Sequence, residues 1–147
     1  MSHVVNIELE IKDLKSLKEA AEMLGLEFRE NQKTYRWYGH HVGDYPLPKG
    51  FTKFDMGHCD HALSIPGNPN AYEVGVCKRR DGVEGWLLQF DFYAGGSGLI
   101  SKIGKDAGKL CDEYAAAVAK RKLKAKGFMV KRTVTSTGKI ILQGIGR

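Results

Sequence analysis

Four of the five histidines fall within residues 39–69, beside one of the three cysteines. His40-His41 and Gly57-His58-Cys59-Asp60-His61 lie close together in sequence, with Asp44 and Asp55 between them. Imidazole, thiolate and carboxylate are the donor types that hold zinc, so His58, Cys59 and His61 form a candidate metal set, with zinc as the cofactor they would suit. The spacing argues the other way. Neighbouring ligands rarely all turn toward one ion, and neither a CxxC nor an HxxxH pair anchors the group. The competing reading is that these side chains hydrogen-bond the backbone of their own loop. Cys59 and His61 could also be read as a nucleophile and its base, but such pairs are normally contributed by distant segments. No catalytic residue is assigned.

The second chemical feature is Ala94-Gly95-Gly96-Ser97-Gly98, between an apolar strand pattern and a helix. At such a junction backbone N–H groups can cradle an anion. Gly95, Gly96, Ser97 and Gly98 are therefore candidate ligand-binding residues, together with Trp37 and Tyr45 from the preceding aromatic-rich stretch. The phosphate-loop pattern is not met, because Leu99 and Asp106 stand where a glycine and a hydroxyl are needed around Gly104-Lys105. The dinucleotide pattern fails as well, since Ser101 replaces its last small residue. The plainer reading is a strand-to-helix turn capped by Ser97.

The third feature is charge. Formal net charge is +6, from 23 basic and 17 acidic residues, and Glu113 is the last acid. Nine bases follow it, which leaves 14 bases against all 17 acids in the first 113 residues. Lys120, Arg121, Lys122 and Lys124 thus form a candidate nucleic-acid face. Alternatively, cations in the last turns of a helix simply complement its dipole.

The elements that position these groups follow from periodicity. Residues 4–11 alternate as a strand, and Asp13 caps a helix to about residue 24, closed by Gly25. Residues 26–29 and 34–38 read as one interrupted strand. Residues 39–69 hold all four prolines and read as an ordered loop folded over the domain, with one short strand near residues 62–65. Strands are expected over 71–78 and 85–93, joined by a turn at Asp81-Gly82. One long helix is expected over 99–126, then a hairpin of 128–135 and 139–145. The order β-α-β-loop-β-β-α-β-β implies an α+β fold, a largely antiparallel sheet with two helices on one face.

A chain of 147 residues has the length of one domain, so residues 1–147 are read as a single unit. Its 42% hydrophobic and 27% charged residues are ordinary globular composition. The start lacks the pattern of a signal peptide, and no apolar run is long enough for a membrane span. Cys59, Cys77 and Cys111 are odd in number and widely spaced, which places the protein in a reducing cytoplasm, with Cys77 and Cys111 as small buried hydrophobes.

Several segments together resemble a family of small proteins of unknown function found in algal plastids, cyanobacteria and tailed phages. They are the opening Met1-Ser2-His3 before a strand and the Asp13-Leu14 helix, and the Tyr72-Glu73-Val74-Gly75-Val76 strand. The Trp86 strand, the helix bearing Tyr114 and the hairpin after Gly127-Phe128 complete the set. Gly43-Asp44-Tyr45-Pro46-Leu47-Pro48 and Cys59-Asp60-His61-Ala62 are similar to the phage branch. The resemblance implies no activity, cofactor or catalytic residue. The expectation drawn from it and from the residues is a phage-encoded, non-enzymatic binding or accessory protein. It would engage a host or phage protein or sequester a small anionic ligand. The alternatives are nucleic-acid binding through the C-terminal basic face and metal-dependent hydrolysis by the histidine-rich loop. A homo-oligomer is compatible with each.

Overall fold

The computed structural model describes residues 4–39 and 47–146, with side chains from Ile11 onward. Its main sheet has five strands in the order β1-β5-β4-β3-β2. These are β1 Val4–Ile11, β2 Glu27–Arg29, β3 His61–Ser64, β4 Val74–Lys78 and β5 Trp86–Asp91. Every neighbouring pair is antiparallel, and β1 shifts register against β5 between Ile7 and Ile11. The α+β class inferred from the sequence is the class observed.

Helices cover one face. Helix α1, Leu14–Met23, starts at Asp13, whose carboxylate accepts the Lys15 N–H and the Ser16 hydroxyl. That is the capping the sequence signals. It buries Leu17, Ala20 and Ala21 against Leu63, Val76 and Leu88 of the core. The expected long second helix is two: α2, Leu99–Ile103, and α3, Gly108–Ala125. Between them Gly104 turns the chain at φ 82°, and Asp106 and Ala107 follow in the left-handed region. Leu99 and Ile103 of α2 and Leu110 and Tyr114 of α3 all reach the same core. The Tyr114 hydroxyl accepts the N–H groups of Lys12 and Asp13, fastening α3 to the β1–α1 junction.

The opposite face is covered by irregular chain. The expected strand over residues 26–38 reduces to β2 and a single bridge from Thr34 to His58. Tyr35 lies buried across Gly75, where an added Cβ would stand 2.4 Å from the ring. Its hydroxyl bonds Gln89 Oε1, also buried, at 3.1 Å. Phe51 closes the same side over Cys77 and Leu87. Leu87, Gln89 and Asp91, the alternate set of β5, are thus as deeply buried as Leu88 and Phe90.

The C-terminal hairpin does not join the main sheet. Strands β6, Met129–Val134, and β7, Ile140–Ile145, pair with each other and form a second sheet lying on α3. A bidentate bond from Arg132 to Glu113 of α3, at 2.7 and 2.8 Å, helps hold it there.

Candidate functional site

The histidine–cysteine group is separated by its own bonds. His61 is buried between the rings of Phe28 and Trp86, and its Nδ1 accepts the Asn31 N–H at 2.9 Å. The Cys59 thiol donates to the Gln32 carbonyl, and burial pushes its pKa up to about 12. His58 is exposed, and its carbonyl faces the Cys77 thiol. Among the described residues no three His, Cys, Asp or Glu side chains come together as a metal set. His58, Cys59 and His61 therefore do not form the expected zinc centre by themselves; His40, His41 and Asp44 lie outside the described residues. The nucleophile reading meets the same obstacle, since a thiol held protonated and bonded to a carbonyl is no thiolate.

The glycine turn is structural in its bonding. Ala94, Gly95, Gly96 and Ser97 all have φ between 51° and 71°, a left-handed turn in which side chains are disfavoured. Gly96 has to be bare, because a Cβ there would stand 3.0 Å from Leu99 and 3.2 Å from the Asp91 carbonyl. Gly95 and Gly96 offer carbonyls to the Leu99 N–H, Gly96 also to the Tyr72 N–H, Ser97 to the Asn68 amide and Gly98 to the Ser101 hydroxyl. The bonds that hold the turn are thus mostly to its carbonyls, with the Gly95 N–H donating to the Phe92 carbonyl. Ser97 makes no capping bond either, and Gly98 occupies the N-cap of α2.

Nearby, the fully buried Asp91 carboxylate accepts the N–H groups of Tyr38 and Tyr93, whose rings approach to 5.9 Å. Trp37 leans its indole against Gly57. Tyr45 lies outside the described residues. The long loop divides between two ends of the sheet. Gly50, Phe51 and Asp55 pack around Arg80 beyond β4, whereas Asn68 reaches the glycine turn. Among the described loop residues, Ile65 and Asn68 are the ones that lie beside Gly98.

Close to it, Arg29, Gln32, Arg36, Ser64, Asn68 and Glu73 line an open cleft of about 550 Å³. Glu73 is 6% exposed and accepts the Arg36 N–H at 2.8 Å and the Gln32 amide at 3.2 Å. Sequence reasoning did not connect these residues, because they come from β2, the chain after it, β3 and the approach to β4.

The basic residues converge most clearly. Helices α1 and α3 flank an open groove of about 530 Å³ lined by Lys15, Lys18, Lys120, Arg121 and Lys124, with Glu19 and Glu22 as its acids. Glu19 is bridged by Lys120 at 2.9 Å and Arg121 at 3.7 Å, and its hydrogen bond to Lys120 holds its pKa below the usual carboxylate value. Lys15, Lys18 and Lys124 have no ion-pair partner among the described residues. Lys122 does not line this groove, so the four residues expected to act together are three plus one. Lys15 and Lys18 were missed, although Leu14-Lys15-Ser16-Leu17-Lys18 shows an exposed basic flank. Nothing in the sequence tells which later segment faces it.

Comparison of the chain with known protein families, curated proteins and solved structures found no match.

Proposed function

We propose that this is a non-enzymatic binding protein that engages the phosphate backbone of nucleic acid along the α1–α3 groove. The observation that carries the reading is the gathering of five cations from two helices around one groove, where one of the two acids is already neutralised. Backbone phosphates are bound by such cations through counterion release, without a deep pocket. The accessory role in a phage-encoded system expected from the sequence is compatible with this surface.

The test is fluorescence anisotropy with a labelled mixed-sequence DNA duplex over a salt series. Binding should weaken steeply with salt, with a log–log slope near −0.9 for each phosphate contacted. Replacing Lys15, Lys18 and Lys124 with alanine should reduce low-salt affinity by about tenfold or more and flatten the slope by about 3. These three have no ion-pair partner to orphan among the described residues, so thermal stability should hold. Unchanged affinity and slope would exclude the groove. Lys120 and Arg121 are poorer probes, because their loss also strips Glu19 of its partners.

A second reading rests on the cleft of Arg29 and Arg36, which suits a small anionic ligand better than the glycine turn does. Arg29 already bonds Ser64 and Glu27, and Arg36 bonds the Ala71 carbonyl, so a carboxylate or phosphate would be taken by the remaining N–H groups of the two guanidinium forks. Titration with inorganic phosphate and citrate, followed by heat release, tests it. Signals lost in an Arg29→Ala/Arg36→Ala variant support the cleft; no heat with either anion excludes those ligands.

A further inference from the structure

We propose that the protein forms a two-fold dimer in which β7 pairs antiparallel with β7 of a second copy. A two-stranded sheet leaves one open edge on each strand, and β6 and β7 pair with no other strand among the described residues. The two edges differ in chemistry. Strand β6 carries Lys131 and Arg132, the kind of charge that blunts an edge. Strand β7, Ile140–Ile145, reads IILQGI, with neither a charge nor a proline. Paired with itself it sets no like charges opposite one another.

The surroundings of β7 fit a partner strand. Beside it is a shallow groove of about 410 Å³ in which Ala115 and Ala119 of α3 stand beside Ile140 and Leu142, with Asp112 and Lys139 as the two charged residues that also line it. Small side chains there leave room for apolar residues of an added strand, the arrangement used in β-augmentation. On the solvent side of the hairpin Met129, Ile141 and Ile145 are 64%, 44% and 45% exposed. All three lie on one face, because Met129 is opposite Ile145 and Thr133 is opposite Ile141.

Side-chain alternation restricts the register. Ile141, Gln143 and Ile145 face outward, while Ile140, Leu142 and Gly144 face α3. A copy keeps those faces aligned when a residue lies opposite its own counterpart, and Leu142 opposite Leu142 or Gln143 opposite Gln143 are the registers that pair most of the strand. A one-residue slip would turn Ile140 and Leu142 out to water. Two-fold symmetry makes both contacts self-complementary. The result is a continuous four-stranded sheet over two copies of α3, joining the exposed isoleucines into one patch.

Sedimentation equilibrium of the full chain across micromolar concentrations should return twice the monomer mass. The variant Ile141→Lys/Gln143→Lys changes two outward, exposed side chains and places lysines along the seam in either register. It should sediment as a monomer with an unchanged circular dichroism spectrum. Amide exchange of the unmodified chain supplies an independent measurement, in which residues 140–145 should slow as concentration rises. A wild-type monomer at every concentration overturns the proposal. So does a lysine variant that stays dimeric, or exchange in β7 that ignores concentration.

Discussion

At the scale of single residues, the nucleophilic and metal-binding types are spent on holding loops to the sheet. Cys59 secures residue 32 through its thiol, His61 secures residue 31 through Nδ1, and Asp91 secures Tyr38 and Tyr93. In each case a buried polar atom satisfies a backbone group that would otherwise be left unbonded in a region without regular structure. The thiol is the part that can be measured. With a pKa near 12, Cys59 is almost wholly protonated at neutral or mildly alkaline pH, and thiolate is the reactive form. Iodoacetamide at pH 8 should therefore modify Cys59 at least tenfold more slowly in the native protein than in denaturant, by mass spectrometry of its peptide. Equal rates would show that the thiol is neither buried nor bonded as described.

At the scale of elements, α1 joins the structure to the candidate site. Its N-terminus is fixed by Asp13, its apolar stripe by the core, and its solvent flank by the bridge from Glu19 to α3. Both carboxylates have lowered pKa values, Asp13 chiefly through the Ser16 hydroxyl and Glu19 chiefly through Lys120. A carboxylate with a lowered folded-state pKa contributes its full stabilisation above the unfolded value. That contribution disappears as pH falls through the folded value. Asp13→Ala should therefore cost about 1 kcal/mol at pH 7. The difference from wild type should begin to shrink as pH falls below about 4, the unfolded value, and be lost only below the lowered folded-state value, where the cap is protonated in both states. Urea denaturation at the two pH values checks this, and a pH-independent difference would remove the carboxylate from the account. The Glu19 bridge is partly solvated and contributes no more than about 1 kcal/mol.

At the scale of the molecule, the sheet is buried on both faces, by helices on one side and by loop chain on the other. Protection should follow that layering. Strand β5 lies between β1 and β4 with both sets of its side chains covered, whereas β2 is a three-residue edge with one neighbour. Native-state amide exchange should be slowest at residues 87–90 and faster by orders of magnitude at residues 27–29. Comparable rates at the two sites would contradict a hierarchy built on burial. The same layering leaves the outer flanks of α1 and α3, and the hairpin beyond them, as the surfaces open to partners.

Local chemistry legible in the sequence settled the elements with strong periodicity: the α1 cap and stripe, the alternation of β5, the turn at Asp81-Gly82 and the closing hairpin. Tertiary packing decided what periodicity cannot encode. The alternate residues of β5 could have faced water, but residues 34–38 and Phe51 cover them. The helix expected over 99–126 breaks at Gly104, after which Asp106 and Ala107 take left-handed backbone while Ile103, Ala107 and Leu110 stay buried in the core. Sequence proximity did not make a site of His58, Cys59 and His61, because the Cys59 and His61 side chains bond chain brought in from residues 31 and 32. The basic groove needed Lys15 and Lys18 beside Lys120, Arg121 and Lys124, about a hundred residues apart in sequence. Composition determines how much charge a chain carries; only the packing of α1 against α3 decides where it gathers.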